Sequence, residues 1–124
     1  MAKASPDAFL DAAFAWLDDS TAMVACSAQP TTYAEAFTTY ALADVVMTAG
    51  TDYTIADAGG GGRQVTVAAK AGVTIDTSGT ATHIALVTTG DTTLRYVTTC
   101  TSQALVASGT VDFPAWVISI GDPT

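Results

Sequence analysis

The sequence predicts a mainly β fold: an antiparallel β-sandwich, jelly-roll-like, with an N-terminal α-helix and one short additional helix. Three observations carry this expectation. From Thr51 onward, short runs of alternating apolar and polar residues recur, with turn signals about every ten residues. Threonine is the commonest polar residue, and its branched side chain suits a pleated surface. Clear helical periodicity is confined to the N-terminus. A length of 124 residues suits one domain, read as a helical segment 1–20 and a β-sandwich 21–124. A chain of that size can bury a core without staples.

The first element follows from its caps and its stripe. Ser5 is a good N-cap, Pro6 fits the first helical position, and Asp7 favours the positive helix end. Phe9, Leu10, Ala13, Phe14 and Leu17 share one face, Asp11 and Asp18 lie on the other side, and Asp19-Ser20 ends the helix. The stripe needs a surface to cover it, either an open face of the sheet or a partner.

A strand is expected around Met23-Val24-Ala25-Cys26, and Gln29-Pro30 breaks the chain. Thr32-Tyr33-Ala34-Glu35 fits a capping box, so a short helix starts there. Phe37 to Met47 is compatible with helix or strand and is read as a helical turn followed by a strand. Beyond it, strands are expected at Tyr53–Ile55, around Val65 and Val67, at Val73–Ile75, from Ala81 to Thr89, at Leu94–Val97, at Ala104–Val106, and from Val111 to Ile120. Gly59 to Gly62, Asp76 to Gly79 and Gly90-Asp91 supply the turns.

Charge narrows the function classes. Twelve acids stand against four bases, a net charge of −8, with Lys3, Arg63, Lys70 and Arg95 scattered. Phosphate binding needs clustered bases, so no nucleic-acid partner is expected. Only 13% of residues are charged, about half the usual share, leaving a neutral polar surface of a kind common on proteins with many neighbours. No apolar run is long enough to span a bilayer, and the start lacks the pattern of a signal peptide. A soluble protein made in the cytoplasm, without membrane contact, is the expectation.

No residue pattern points to catalysis, a metal or a cofactor. His83 is the single histidine and lies in a strand, where packing explains it better than chemistry. The glycine run ends in Arg63-Gln64-Val65 and leads into a strand, whereas a phosphate loop needs a Lys-Ser/Thr and a helix. The acids read as solvated turn residues, without a calcium-loop spacing. Cys26 and Cys100 read as two small buried residues or as a disulfide pair. The candidate contact residues are Phe9 and Trp16 on the first helix and Gly60 and Gly61 in the glycine loop. Trp16 sits off the Phe/Leu stripe and is either core edge or partner anchor, because tryptophan is enriched at interface hot spots. Trp116, in Phe113-Pro114-Ala115-Trp116-Val117-Ile118, reads as core.

Four segments, in this order along nearly the whole chain, resemble small structural proteins of tailed phages encoded among head genes. They are Cys26-Ser27-Ala28-Gln29-Pro30-Thr31-Thr32-Tyr33-Ala34-Glu35-Ala36, Gly62-Arg63-Gln64-Val65-Thr66-Val67, Gly79-Thr80-Ala81-Thr82-His83-Ile84-Ala85-Leu86-Val87, and Trp116 to Pro123. The Gly59 to Gly62 run is longer than is usual there. The resemblance implies a non-enzymatic virion component, a capsid decoration or cement protein docked on the major capsid protein at the capsid surface. A homo-oligomer, taken as a trimer, is expected with it. A tail-tip or fibre-head domain that binds a host surface is the alternative, and a small hydrolase stands behind both. An acidic protein suits the outside of a DNA-filled shell, and weak contacts at many equivalent sites add up through multivalency.

Overall fold

The computed structural model describes residues 7–59 and 61–120, with side chains from Asp11 onward. Ser5 and Pro6, the expected cap, lie outside the described residues, as does Gly60. The fold is mainly β and antiparallel, as expected, in a sandwich-like arrangement with a helix at its start. Helix α1 spans Asp7–Asp18. Phe14 and Leu17 are buried at the core, so the domain itself covers these two stripe residues, while Ala13 stays exposed. α1 packs on two of the strands introduced below, β3 and β4.

Strand β1, Ala22–Cys26, is buried at all five positions. Its alternate residues face two different apolar clusters. Met23 and Ala25 point into the main core, while Val24 and Cys26 point into a second cluster. That second cluster is closed by Ala36 and the partly buried Tyr33 and Phe37. These residues come from the expected short helix, whose last turns widen to a π-type helix over Glu35–Thr39. Its start is capped much as the sequence suggests. The Glu35 N–H donates to Thr32 Oγ1 at 3.1 Å, but the Glu35 carboxylate reaches back to the N–H of Thr31, at 2.7 Å, rather than to that of Thr32.

Strand β2, Ala41–Val46, follows at once and pairs with β1, which settles the ambiguous stretch as helix then strand. The remaining strands are β3 (Tyr53–Asp57), β4 (Arg63–Val67), β5 (Lys70–Thr74), β6 (Gly79–Thr88), β7 (Thr93–Leu105), β8 (Thr110–Phe113) and β9 (Trp116–Ile120). They form sheets of four strands (β2-β1-β6-β7), three strands (β3-β4-β9) and two strands (β5-β8). The main core lies between them, with Leu86 of β6 and Val65 and Val67 of β4 fully buried.

Two expectations are corrected. Leu94–Val97 and Ala104-Leu105 are not separate strands: both belong to β7, which ends before Val106 and whose polar centre stays in the sheet because β6 pairs with Thr98, Thr99 and Gln103. Val111 to Ile120 is not continuous, because Pro114-Ala115 separates β8 from β9, as a residue without a backbone N–H does. Of the two readings of the cysteines the structure has the unpaired one, with Cys26 buried and Cys100 only half-buried. Cys26 pairs across the sheet with His83, and His83 with Thr99. Cys100 is the next residue and lines a groove beside Ala25, on the opposite face from Cys26.

Candidate interaction surface

Among the described residues the exposed aromatic side chain is Trp16, in the C-terminal half of α1; the other exposed large apolar side chains, Val46, Val106 and Val117, are aliphatic and lie on other elements. Trp16 is 49% exposed, off the buried Phe14/Leu17 stripe but lining the same groove as both. Its ring is held by Arg95 of β7, whose guanidinium carbon lies 4.4 Å from the ring centroid. Arg95 is itself fixed at several points. Its Nε donates to Thr88 Oγ1 at 2.8 Å, its Nη1 donates to the Trp16 carbonyl at 3.2 Å, and its Nη2 pairs with Asp91 at 3.3 Å. The Arg95 side chain is only 7% exposed. Stacking of this kind contributes about 0.5–2 kcal/mol, more as the cation is desolvated. Its larger effect is geometric, because the indole is ordered before any partner arrives.

Beside Trp16 runs an apolar groove of about 320 Å³ between α1, β7 and β9. Ala13, Trp16, Tyr96, Ile118 and Ile120 line it, and Arg95 supplies its cation. Tyr96 and Trp116 touch across the layers, with ring centroids 5.9 Å apart. Trp116 packs against the core as expected, although its buried indole N–H has no partner among the described residues.

Of the four expected contact residues, the structure brings one to this surface. Trp16 forms its rim. Phe9 sits in α1, but its side chain lies outside the described part, and Gly60 lies outside the described residues. Gly61 does not line the groove; it is exposed in the β3–β4 hairpin. Gly61 and Gly62 have φ of +102° and +81°, values that favour glycine, and the N–H of Ala58 donates to the Gly62 carbonyl at 3.1 Å. The glycine run thus closes a hairpin. Sequence reasoning missed Arg95, Tyr96, Ile118 and Ile120. Arg95 had one local signal, a lone base inside an apolar strand, but nothing in the sequence ties it to Trp16.

The acids hold elements together. Asp11 and Asp57 both pair with Arg63, at 2.8 and 2.6 Å, joining α1 to the β3–β4 hairpin. Asp18 accepts the Gly50 N–H at 2.7 Å, and Asp112 accepts the Gly72 N–H at 2.8 Å. Asp52 takes the Thr48 N–H and the Lys70 ammonium; burial pushes its carboxyl up, but those two partners outweigh it and hold the value below the ordinary range. Asp44 behaves oppositely, raised by burial and by its hydrogen bond and charge contact with Asp76. Burial, with a smaller effect of Cys100, pushes the Cys26 thiol up to about 12. A thiol so shifted is a poor nucleophile at neutral pH. His83 is half-buried in β6, with its Nδ1 2.8 Å from Thr82 Oγ1. Among the described residues no group of three His, Cys, Asp or Glu side chains could hold a metal ion, and no helix is long and apolar enough to cross a membrane.

No protein-family model, curated protein or solved structure matches this chain, so the chemistry of its own surface is the guide to its function.

Proposed function

We propose that the chain is a non-enzymatic structural protein of a phage virion, made in the host cytoplasm and docked in many copies on the major capsid protein as a decoration protein. One observation carries the docking part of this reading: Trp16, half-exposed yet fixed by Arg95 at the rim of an apolar groove. A rigid aromatic beside an apolar slot is the usual composition of an interface hot spot. The virion setting rests on the likeness of the four sequence segments to tailed-phage head proteins. The distribution of charge is compatible with it, since acids tie the body together and leave the groove with a single base.

The test is add-back to particles that lack the protein. The wild-type chain should fill the shell in hundreds of copies, counted by mass spectrometry of purified particles. Trp16→Ala should weaken docking by about 2 kcal/mol, roughly thirtyfold, with an unchanged circular dichroism spectrum. A handful of copies per particle would instead assign the chain to the tail tip or a fibre head. Full occupancy by Trp16→Ala would remove the groove from the docking site.

A further inference from the structure

We propose that the outer edge of β7 binds a second copy of this chain, edge to edge, to form a two-fold dimer. β7 is the last strand of the four-stranded sheet and pairs on one side only, with β6. Among the described residues no strand pairs with its other side, and Thr99, Thr101, Ser102, Gln103 and Ala104 are exposed. An unpaired strand edge is a template for another strand unless it is charged, covered or bent away.

The opposite edge of that sheet is protected in just these ways. β2 carries Asp44, and Ala43 forms a bridge to Ile75. The Leu42 carbonyl also accepts the N–H groups of Asp76 and Thr77, at 2.8 and 3.1 Å. β3, an edge of the three-stranded sheet, carries Asp57 and lies against α1.

The choice of a second copy as occupant comes from charge. Two chains of net charge −8 repel wherever acids meet. From Thr92 to Val111 there is no Asp or Glu, and β9, Trp116–Ile120, has no charged residue at all; the next acid, Asp112, lies by the Cys100–Leu105 half of β7 and not by Tyr96–Thr99. Arg95 is the single charge on β7, and Trp16 and Asp91 hold it within its own chain. The Tyr96–Thr99 part of this edge is therefore where two copies can approach with least repulsion, and an antiparallel edge is self-complementary about a two-fold axis. Such an axis closes with two copies, not three.

The register limits how far the pairing runs. Between the pairs Ala81↔Gln103 and His83↔Thr99, β7 has three residues, Cys100 to Ser102, opposite Thr82 alone. Arg95 is likewise extra between Leu86↔Tyr96 and Val87↔Leu94. These bulges bend the edge, so regular pairing covers Tyr96–Thr99 and the dimer is weak. A dissociation constant of about 10 µM is expected, in the range of small transient interfaces. The inference does not depend on the virion reading, and its stretch of β7 meets the Trp16 groove only at Tyr96.

Sedimentation equilibrium of the purified chain tests it. The wild type should shift from monomer near 1 µM to dimer near 100 µM. Thr99→Lys/Thr101→Lys, both exposed, should stay monomeric over that range with unchanged circular dichroism and melting temperature. Val46→Lys on the protected β2 edge, and Trp16→Ala, should dimerise as the wild type does. Backbone hydrogen exchange at Tyr96–Thr99 should slow as concentration rises. A monomer at 100 µM, a trimer, or a dimer that the β7 lysines leave intact and Val46→Lys breaks would each overturn the proposal. If the double lysine variant fails to fold, unchanged exchange at Tyr96–Thr99 between the two wild-type concentrations overturns it alone.

Discussion

β1 and β7 belong to one sheet, separated only by β6, yet they solve opposite problems. β1 has a strand on each side and an apolar cluster on each face, and every one of its residues is buried. β7 has one neighbour, two bulges and a centre of threonine, cysteine, serine and glutamine. Position in the sheet, rather than strand propensity, sets how much each side chain matters. β1 contributes packing, and β7 contributes a surface.

The largest expected effect lies beside β1. Leu86, fully buried and paired with Met23, should cost about 2–5 kcal/mol when changed to Ala. Denaturant unfolding measures this, and a loss below 1 kcal/mol would mean that the two strands differ less than their burial implies. The two cysteines make a finer comparison. Cys26→Ser on β1 puts a hydroxyl at a fully buried site whose thiol lies 3.5 Å from the Ala36 carbonyl, and should cost about 1–3 kcal/mol. Cys100→Ser on β7 should cost less. In the folded protein a thiol reagent should label Cys100 first and Cys26 only on unfolding, because Cys26 is both buried and raised to about 12. Equal labelling rates would contradict that ranking.

The contrast also extends to the two edges of the sheet. On β2, the raised Asp44 value means that the folded state holds its proton more tightly than the unfolded chain. The resulting stabilisation is fully present below the unfolded Asp value of about 3.9 and is lost as pH rises through the folded value. Asp44→Asn should therefore melt slightly higher than the wild type at neutral pH, with the advantage shrinking as the solution is acidified toward pH 4. An advantage that grew on acidification would reverse the sign assigned to the Asp44–Asp76 contact. The smallest effect belongs to β7: Thr101→Ala should leave unfolding free energy within about 0.5 kcal/mol. A larger loss would show that the polar centre of β7 is held by more than β6.

These regions differ equally in how legible they were. Met23-Val24-Ala25-Cys26 reads as a strand because a central strand needs apolar residues on both faces, and Val65/Val67 reads as one because alternate burial is written into alternate residues. The helix stripe and the capping box at Thr32 were legible for the same reason: each is a local pattern with a local cause. β7 was split in two because its polar centre carries no alternation of its own and is strand only through β6. The Trp16–Arg95 contact was illegible because it spans 79 residues and depends on how α1 lies across the sheet. Trp16 could be nominated by its place off the stripe, but its fixing partner could not.

The junction between α1 and β1 has a mechanical consequence. Within five residues, the Ser20 hydroxyl donates to the Leu17 carbonyl, the Tyr53 hydroxyl to the Ser20 carbonyl, the Thr88 hydroxyl to the Asp19 carbonyl, and the Gly50 N–H to Asp18. The Thr21 N–H donates to Val87, and the Thr21 carbonyl accepts from Met47. A pull on Trp16 therefore reaches β3, β6 and the end of β2 together before any one strand can peel. The helix behaves as a clamped lever rather than a tether, so force at the groove is carried by the body of the molecule and spread over several bonds loaded in parallel.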